Sequence, residues 1–253
     1  MMSGEPSSAI WVAVLLLSLM SIATTLVGVG LALRLGHSAR GIATGTGFAA
    51  GIMILVSVVE LIPESVHAAG PAMSLGAVAL GATVIAILHV IIPHTHLVEE
   101  KGRIDPHLLK SVYLVAFGLI LHDFPEGFAM ANAYVSSPSL GVLVAVAIAL
   151  HNIPEEFAMA APAVTLRKKR FLFGAAFLSA LAEPAGAVIG LLAVRVDPGL
   201  NPLLMAFAAG AMIFVSLHEL LPMARRYGNI RRFAVGAALS GIAHLGLWLA
   251  LPH

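Results

Sequence analysis

Leu121-His122-Asp123-Phe124-Pro125-Glu126-Gly127-Phe128-Ala129-Met130-Ala131 recurs 29 residues later as Leu150-His151-Asn152-Ile153-Pro154-Glu155-Glu156-Phe157-Ala158-Met159-Ala160, with eight of eleven positions identical. Each copy places a histidine and a glutamate four residues apart, on one face of a helix. Each puts a proline immediately before that glutamate, and each lies in the middle of an apolar run. Ionisable groups are costly in such surroundings. A pattern that keeps them twice, at helical spacing, points to a metal site inside a membrane.

The rest of the chain fits that reading. Of 253 residues, 59% are hydrophobic and only 11% are charged, and the mean hydropathy is +0.97. A water-soluble domain of this length needs far more charge to cover its surface. Apolar runs of about 20 residues, the length that crosses a bilayer, number eight: 9–33, 42–66, 72–92, 109–133, 139–164, 171–194, 200–224 and 232–251. The breaks between them are short and leave no room for a second domain, so residues 1–253 read as a single transmembrane domain of all-α class. The start of the chain carries Glu5 and no basic residue before Ile10, unlike a secretory signal. With no Cys, thiolate ligands and sulfur redox chemistry are excluded.

Basic residues set an expected orientation. Thirteen of the 14 Lys and Arg fall in the first, third, fifth and seventh loops, against Arg195 alone on the other side. By the positive-inside rule those loops are cytoplasmic and both termini extracytoplasmic. Eight spans also require both termini to share a side.

A second repeat spans more of the chain. Phe48 to Pro63 in the second span matches Phe207 to Pro222 in the seventh at 11 of 16 positions, including Ser57/Ser216, Glu60/Glu219 and Pro63/Pro222. These two spans cross in opposite directions, as do the fourth and fifth. The chain therefore reads as 3+2+3, with spans one to three and six to eight related by inversion around a central pair. Inverted repeats characterise secondary transporters, whose sites sit near the midplane between the repeats.

Seven of the thirteen acidic residues lie in the expected spans or at their ends: Glu60, Asp123, Glu126, Glu155, Glu156, Glu183 and Glu219. A charged carboxylate at a helix centre costs about 2.5–3.5 kcal/mol on insertion scales, and no Lys or Arg stands mid-span to offset it. Such a group of acids asks either for a cation or for protons. His122 and His151 favour the cation, because nitrogen and oxygen ligands without sulfur suit Zn²⁺, Fe²⁺, Mn²⁺, Co²⁺ or Cd²⁺. Pro125 and Pro154 add to this by freeing the carbonyls of Leu121 and Leu150 from their helical donors, which mid-membrane is tolerated where backbone lines a cavity. Glu183 also precedes a proline, Pro184, and reads equally as a carboxylate at a kink. Met53, two turns before Glu60, offers a soft ligand or plain packing. Glu60 and Glu219 suit a gate or an entrance as well as ligation. His89, His94, His96 and His107 fall around the third loop, which either hands metal on or is a solvated loop. His218 and His244 read as packing or rim histidines.

The twin motifs His122-Asp123-Phe124-Pro125-Glu126-Gly127 and His151-Asn152-Ile153-Pro154-Glu155 resemble the fourth and fifth helices of ZIP metal transporters, with the closest likeness to bacterial GufA-type and ZupT-like members. The matched second and seventh spans and Glu183-Pro184 resemble that family too. The resemblance implies import of Zn²⁺ and related divalent ions into the cytoplasm, with metal as substrate and no cofactor. It implies a binuclear site in which His122, Glu126, His151, Asn152 and Glu155 bind metal, Asp123 and Glu183 complete the second ion's shell, and Met53 approaches the first. A bacterial inner-membrane location and a homodimer are compatible with it, and no nucleic acid is expected as a partner. Asp123 stands where many members have Asn, and Glu156 where the second motif usually has Gly. Asp123 adds charge that should favour harder ions and double occupancy. Two competing readings are an intramembrane metal-dependent hydrolase, which lacks a His-Glu-x-x-His here, and a proton- or Na⁺-coupled carrier without transition metal.

Overall fold

The computed structural model describes residues 6–35, 38–91, 123–160, 169–226 and 229–251. Among these residues the chain is helical throughout, with no strand. Helix α1 runs Ser8–Leu35. Helix α2 is Ala39–Leu55, a π turn Val56–Leu61, and Ile62–Ala69, and α3 is Pro71–Ile91. Helix α4 is described over 123–136, and α5 is Pro138–Ala160. Helix α6 comes in two pieces, Lys169–Ala180 and Ala182–Val196. Helix α7 is Asn201–Val215, a π turn Ser216–Leu220, and Leu221–Arg226. Helix α8 closes the order at Ile230–Ala250.

Among the described residues, seven helices are long and apolar enough to span a membrane. The fourth expected span, 109–133, enters the described residues only at Asp123. Boundaries follow local chemistry. Ser38 starts α2 by accepting the N–H of Gly41 at 3.2 Å. Gly70 ends it at φ +82, a backbone conformation that side chains with a Cβ rarely adopt. Asp197 accepts the N–H of Gly199 at 2.8 Å and sets the 3₁₀ turn that leads into α7.

The two π turns share a cause. In α2 the N–H of Ile62 reaches back five residues to the carbonyl of Ser57, and in α7 the N–H of Leu221 does the same to Ser216. A proline follows each, Pro63 and Pro222. Proline cannot donate and its ring presses on the carbonyl four residues earlier, so opening the preceding turn by one residue relieves both problems.

Packing places α5 at the centre. Its span is 67% buried, whereas those of α3 and α8 are 17% buried and form the outer flanks. Helix α1 lies against α5 and α6, α2 against α5 and α8, and α3 against α7. Leu80, Ile87 and Val90 of α3 and Ile242, Leu245 and Leu249 of α8 are exposed. These helices thus turn an apolar surface outward, as a bilayer requires.

Without a hydrophobic drive between helices in lipid, close backbone approach has to supply the attraction. The α4–α6 crossing does so reciprocally. A Cβ on Gly127 would run into the carbonyl of Glu183, and one on Gly186 into the carbonyl of Phe124. Gly186→Ala should therefore push the two helices apart and destabilise by about 1–3 kcal/mol. Gly30→Ala, where nothing lies within 4 Å, should be neutral or stabilising. Thermal unfolding of the two purified variants in detergent checks the contrast.

Candidate metal centre

Helices α4 and α5 meet through their repeated motifs. Pro154 lies inside α5, with Gly45 of α2 against its carbonyl and Gly28 of α1 against the carbonyl of Ile153. The kinked turn is thereby packed from two sides. Beside it, Glu126, His151 and Glu155 offer ligand atoms that all lie within 4.8 Å of one another, and all three residues are buried.

His151 is fully buried and its ring is fixed at both ends. Nδ1 lies 3.0 Å from the carbonyl of Ala147, one turn back. A carbonyl can only accept, so Nδ1 carries a proton, and Nε2 faces the carboxylates. Nε2 stands 3.0 Å from Glu126 Oε1 and 3.8 Å from Glu155 Oε2. A histidine whose far nitrogen is tied to a backbone carbonyl is the usual arrangement of a metal ligand. Glu126 Oε2 is buried with no hydrogen-bond partner among the described residues, which is the situation a cation resolves.

A second polar group adjoins the first. Asn152 donates through Nδ2 to Ser21 Oγ of α1 at 2.5 Å. Asp123 accepts from Ser179 Oγ of α6 at 2.6 Å. Glu183, buried in the first turn after the break in α6, lies beside Ser21 and Asn152, with Glu126 and Asp123 as its charged neighbours. Its Oε2 also lacks a hydrogen-bond partner among the described residues. The structure therefore brings Asp123, Glu126, His151, Asn152, Glu155 and Glu183 into one connected cluster.

The other expected residues fall out differently. His122, His94, His96 and His107 lie outside the described residues. The sulfur of Met53, buried in α2, lies 3.6 Å from Ser216 Oγ of α7, whose proton goes to the Met212 carbonyl at 2.8 Å. Glu156 is buried where α5 meets α1, its Cβ beside Gly28. His89 belongs to the last turn of α3, not to the loop, and its Nδ1 lies 3.0 Å from Glu219 Oε1. His244 of α8 stands 3.2 Å from Glu60 Oε1, so both π turns carry a carboxylate set against a histidine of a neighbouring helix. His218 is exposed and stacks on Phe214 at 4.8 Å.

Sequence reasoning missed Ser21 and Ser179. The signal was present in α1, where Ser18, Ser21, Thr25 and Gly28 recur at helical spacing and are all buried. A polar stripe on an otherwise apolar span marks the side that faces protein.

The match to known proteins rests on most of the chain. Residues 94–247 match the family model described as ZIP Zinc transporter. The chain belongs to the ZIP family. It is 37% identical to a protein of Chlorobium phaeovibrioides named Zinc transporter ZupT, over 94% of this chain and 97% of that one. Similar relatives of the same name occur in Corynebacterium aurimucosum, at 36% identity over 88% and 91%, and in Stenotrophomonas maltophilia, at 32% over 97% of each. With seven apolar helices among the described residues, this ZIP member is an integral membrane protein.

Glu126→Gln keeps the shape of the side chain but removes the charge beside His151. It should weaken Zn²⁺ binding to the purified protein at least tenfold, measured by competition against a chromophoric chelator. Glu156→Gln, on the α1 side of the same helix, should change it less than threefold.

Proposed function

We propose that the protein carries divalent transition-metal ions, Zn²⁺ foremost and Fe²⁺, Mn²⁺, Co²⁺ and Cd²⁺ among the others, from outside into the cytoplasm. The observation that carries this reading is the buried set Glu126, His151 and Glu155, whose ligand atoms converge within 4.8 Å on helices inside a family of transporters. Family membership also sets the hydrolase reading aside. Metal is the substrate, and one transporter domain spans residues 1–253.

Two ions are held side by side in this reading. Glu126, His151 and Glu155 take the first, with His122 from the same motif. Asp123, Asn152 and Glu183 take the second, with Glu126 and Glu155 shared between them. Three carboxylates, two imidazoles and Glu183 exceed what one tetrahedral ion needs. Met53 is kept as a soft ligand that approaches the first ion.

The inverted 3+2+3 arrangement is part of the same proposal, and the packing supports it. Inversion exchanges α2 with α7 and α3 with α8, and the pairs α2–α8 and α3–α7 both form. It exchanges α1 with α6 and α5 with α4. Helix α1 packs on α5 as α6 crosses α4 at Gly127 and Gly186. The matched π turns and the Glu60–His244 and Glu219–His89 pairs follow the same exchange. With both termini extracytoplasmic, the Glu60 pair faces outward and the Glu219 pair inward.

Proteoliposome uptake tests the function. Zn²⁺ flux should be saturable and should fall at least tenfold in His151→Ala and in Glu155→Ala; intact flux in both would overturn the site. Asp123→Asn should be tolerated structurally, because Ser179 can accept from an amide as Ser21 does from Asn152. It should weaken the second binding step more than the first in calorimetric titration. Equal loss of both steps would contradict the division of ligands given above.

A further inference from the structure

We propose that Ser21 of α1 is a positioning residue that fixes which atom of Asn152 faces the transported cation. The inference rests on the metal-transport reading and extends it to a helix that supplies no ligand of its own. An amide side chain has one acceptor oxygen and one donor nitrogen of nearly equal shape. Only the oxygen can bind a cation, so a ligating asparagine has to be held in one of its two orientations.

Hydrogen bonds select that orientation. The Asn152 nitrogen carries two N–H groups. One goes to Ser21 Oγ at 2.5 Å. Glu183 adjoins both Ser21 and Asn152, and a negative carboxylate favours the donor end of the amide on its side. Reversing the amide would set its oxygen against the Glu183 carboxylate, two acceptors facing each other without a proton. What the amide retains for the centre is Oδ1.

Ser179 of α6 performs the matching task for the other motif. Its hydroxyl donates to Asp123 Oδ2 at 2.6 Å, and Asp123 and Asn152 are the equivalent positions of the two repeats. Each residue that follows a motif histidine is therefore tied to a serine on a helix outside the central pair. Ser21 is 2% exposed and Ser179 fully buried, so water does not substitute for either.

The test is a double-mutant cycle on Ser21→Ala and Asn152→Ala, reading divalent-ion affinity of the purified protein by calorimetry with Zn²⁺ and with Mn²⁺. Outer-shell partners of metal ligands typically contribute 10–100-fold. Ser21→Ala should weaken Zn²⁺ at least tenfold in the wild-type background and less than twofold once Asn152 is Ala. Mn²⁺, which depends more on oxygen ligands, should lose more than Zn²⁺. Ser21→Thr should restore affinity to within threefold, and Ser18→Ala, one turn away with its hydroxyl on the Leu15 carbonyl, should leave it unchanged. Equal losses from Ser21→Ala in both backgrounds, or equal losses for both ions, would overturn the assignment while leaving transport standing. Absence of saturable binding in the wild type would overturn both readings together.

Discussion

Every feature of this molecule answers to one constraint. Carboxylates held in hydrocarbon, with no lysine or arginine beside them, must be satisfied by hydrogen bonds or by a cation. Protein donors meet part of that demand. Ser179 donates to Asp123 and His151 Nε2 lies 3.0 Å from Glu126, yet buried oxygens of Glu126 and Glu183 have no hydrogen-bond partner among the described residues. Such leftover acceptors are what a divalent ion would satisfy.

Holding those side chains in register requires backbones to come close, and the sequence supplies small residues where they do. The glycines at the α4–α6 crossing let Glu183 reach the motif helices, and those beside Pro154 let α1 and α2 pack against a turn that proline has opened. Packing and chemistry are coupled at the same residues: Gly127 touches the backbone of Glu183 itself. The flanks α3 and α8 carry no such demand and face outward with apolar side chains.

The all-helical class and the grouping of the acidic residues were legible because lipid leaves few choices. Long apolar runs must be helices, and an acidic residue inside one must have a reason. The twin motifs singled out Glu126, His151 and Glu155, and their ligand atoms lie within 4.8 Å of one another. Details that depend on helix phase were not legible. Met53 and Glu60, seven residues apart, fall nearly in line on an ideal helix. The π turn between them inserts an extra residue and turns Glu60 toward His244 on α8. Ser21 and Ser179 were hidden for another reason: a serine in a membrane helix usually bonds its own backbone, as Ser18 does, and only the fold shows which one reaches across.

The break in α6 at Leu181 has an electrostatic consequence. It makes Ala182–Val196 a separate helix with Glu183 in its first turn. Pro184 has no N–H and Ala185 already donates to the Leu181 carbonyl, which leaves the N–H groups of Ala182 and Glu183 as the start of this half-helix. A helix start carries partial positive charge, and here it stands beside the acids of the cluster. That charge belongs to the backbone and is the same whether or not an ion is bound, so it lessens the mutual repulsion of the carboxylates when they stand alone.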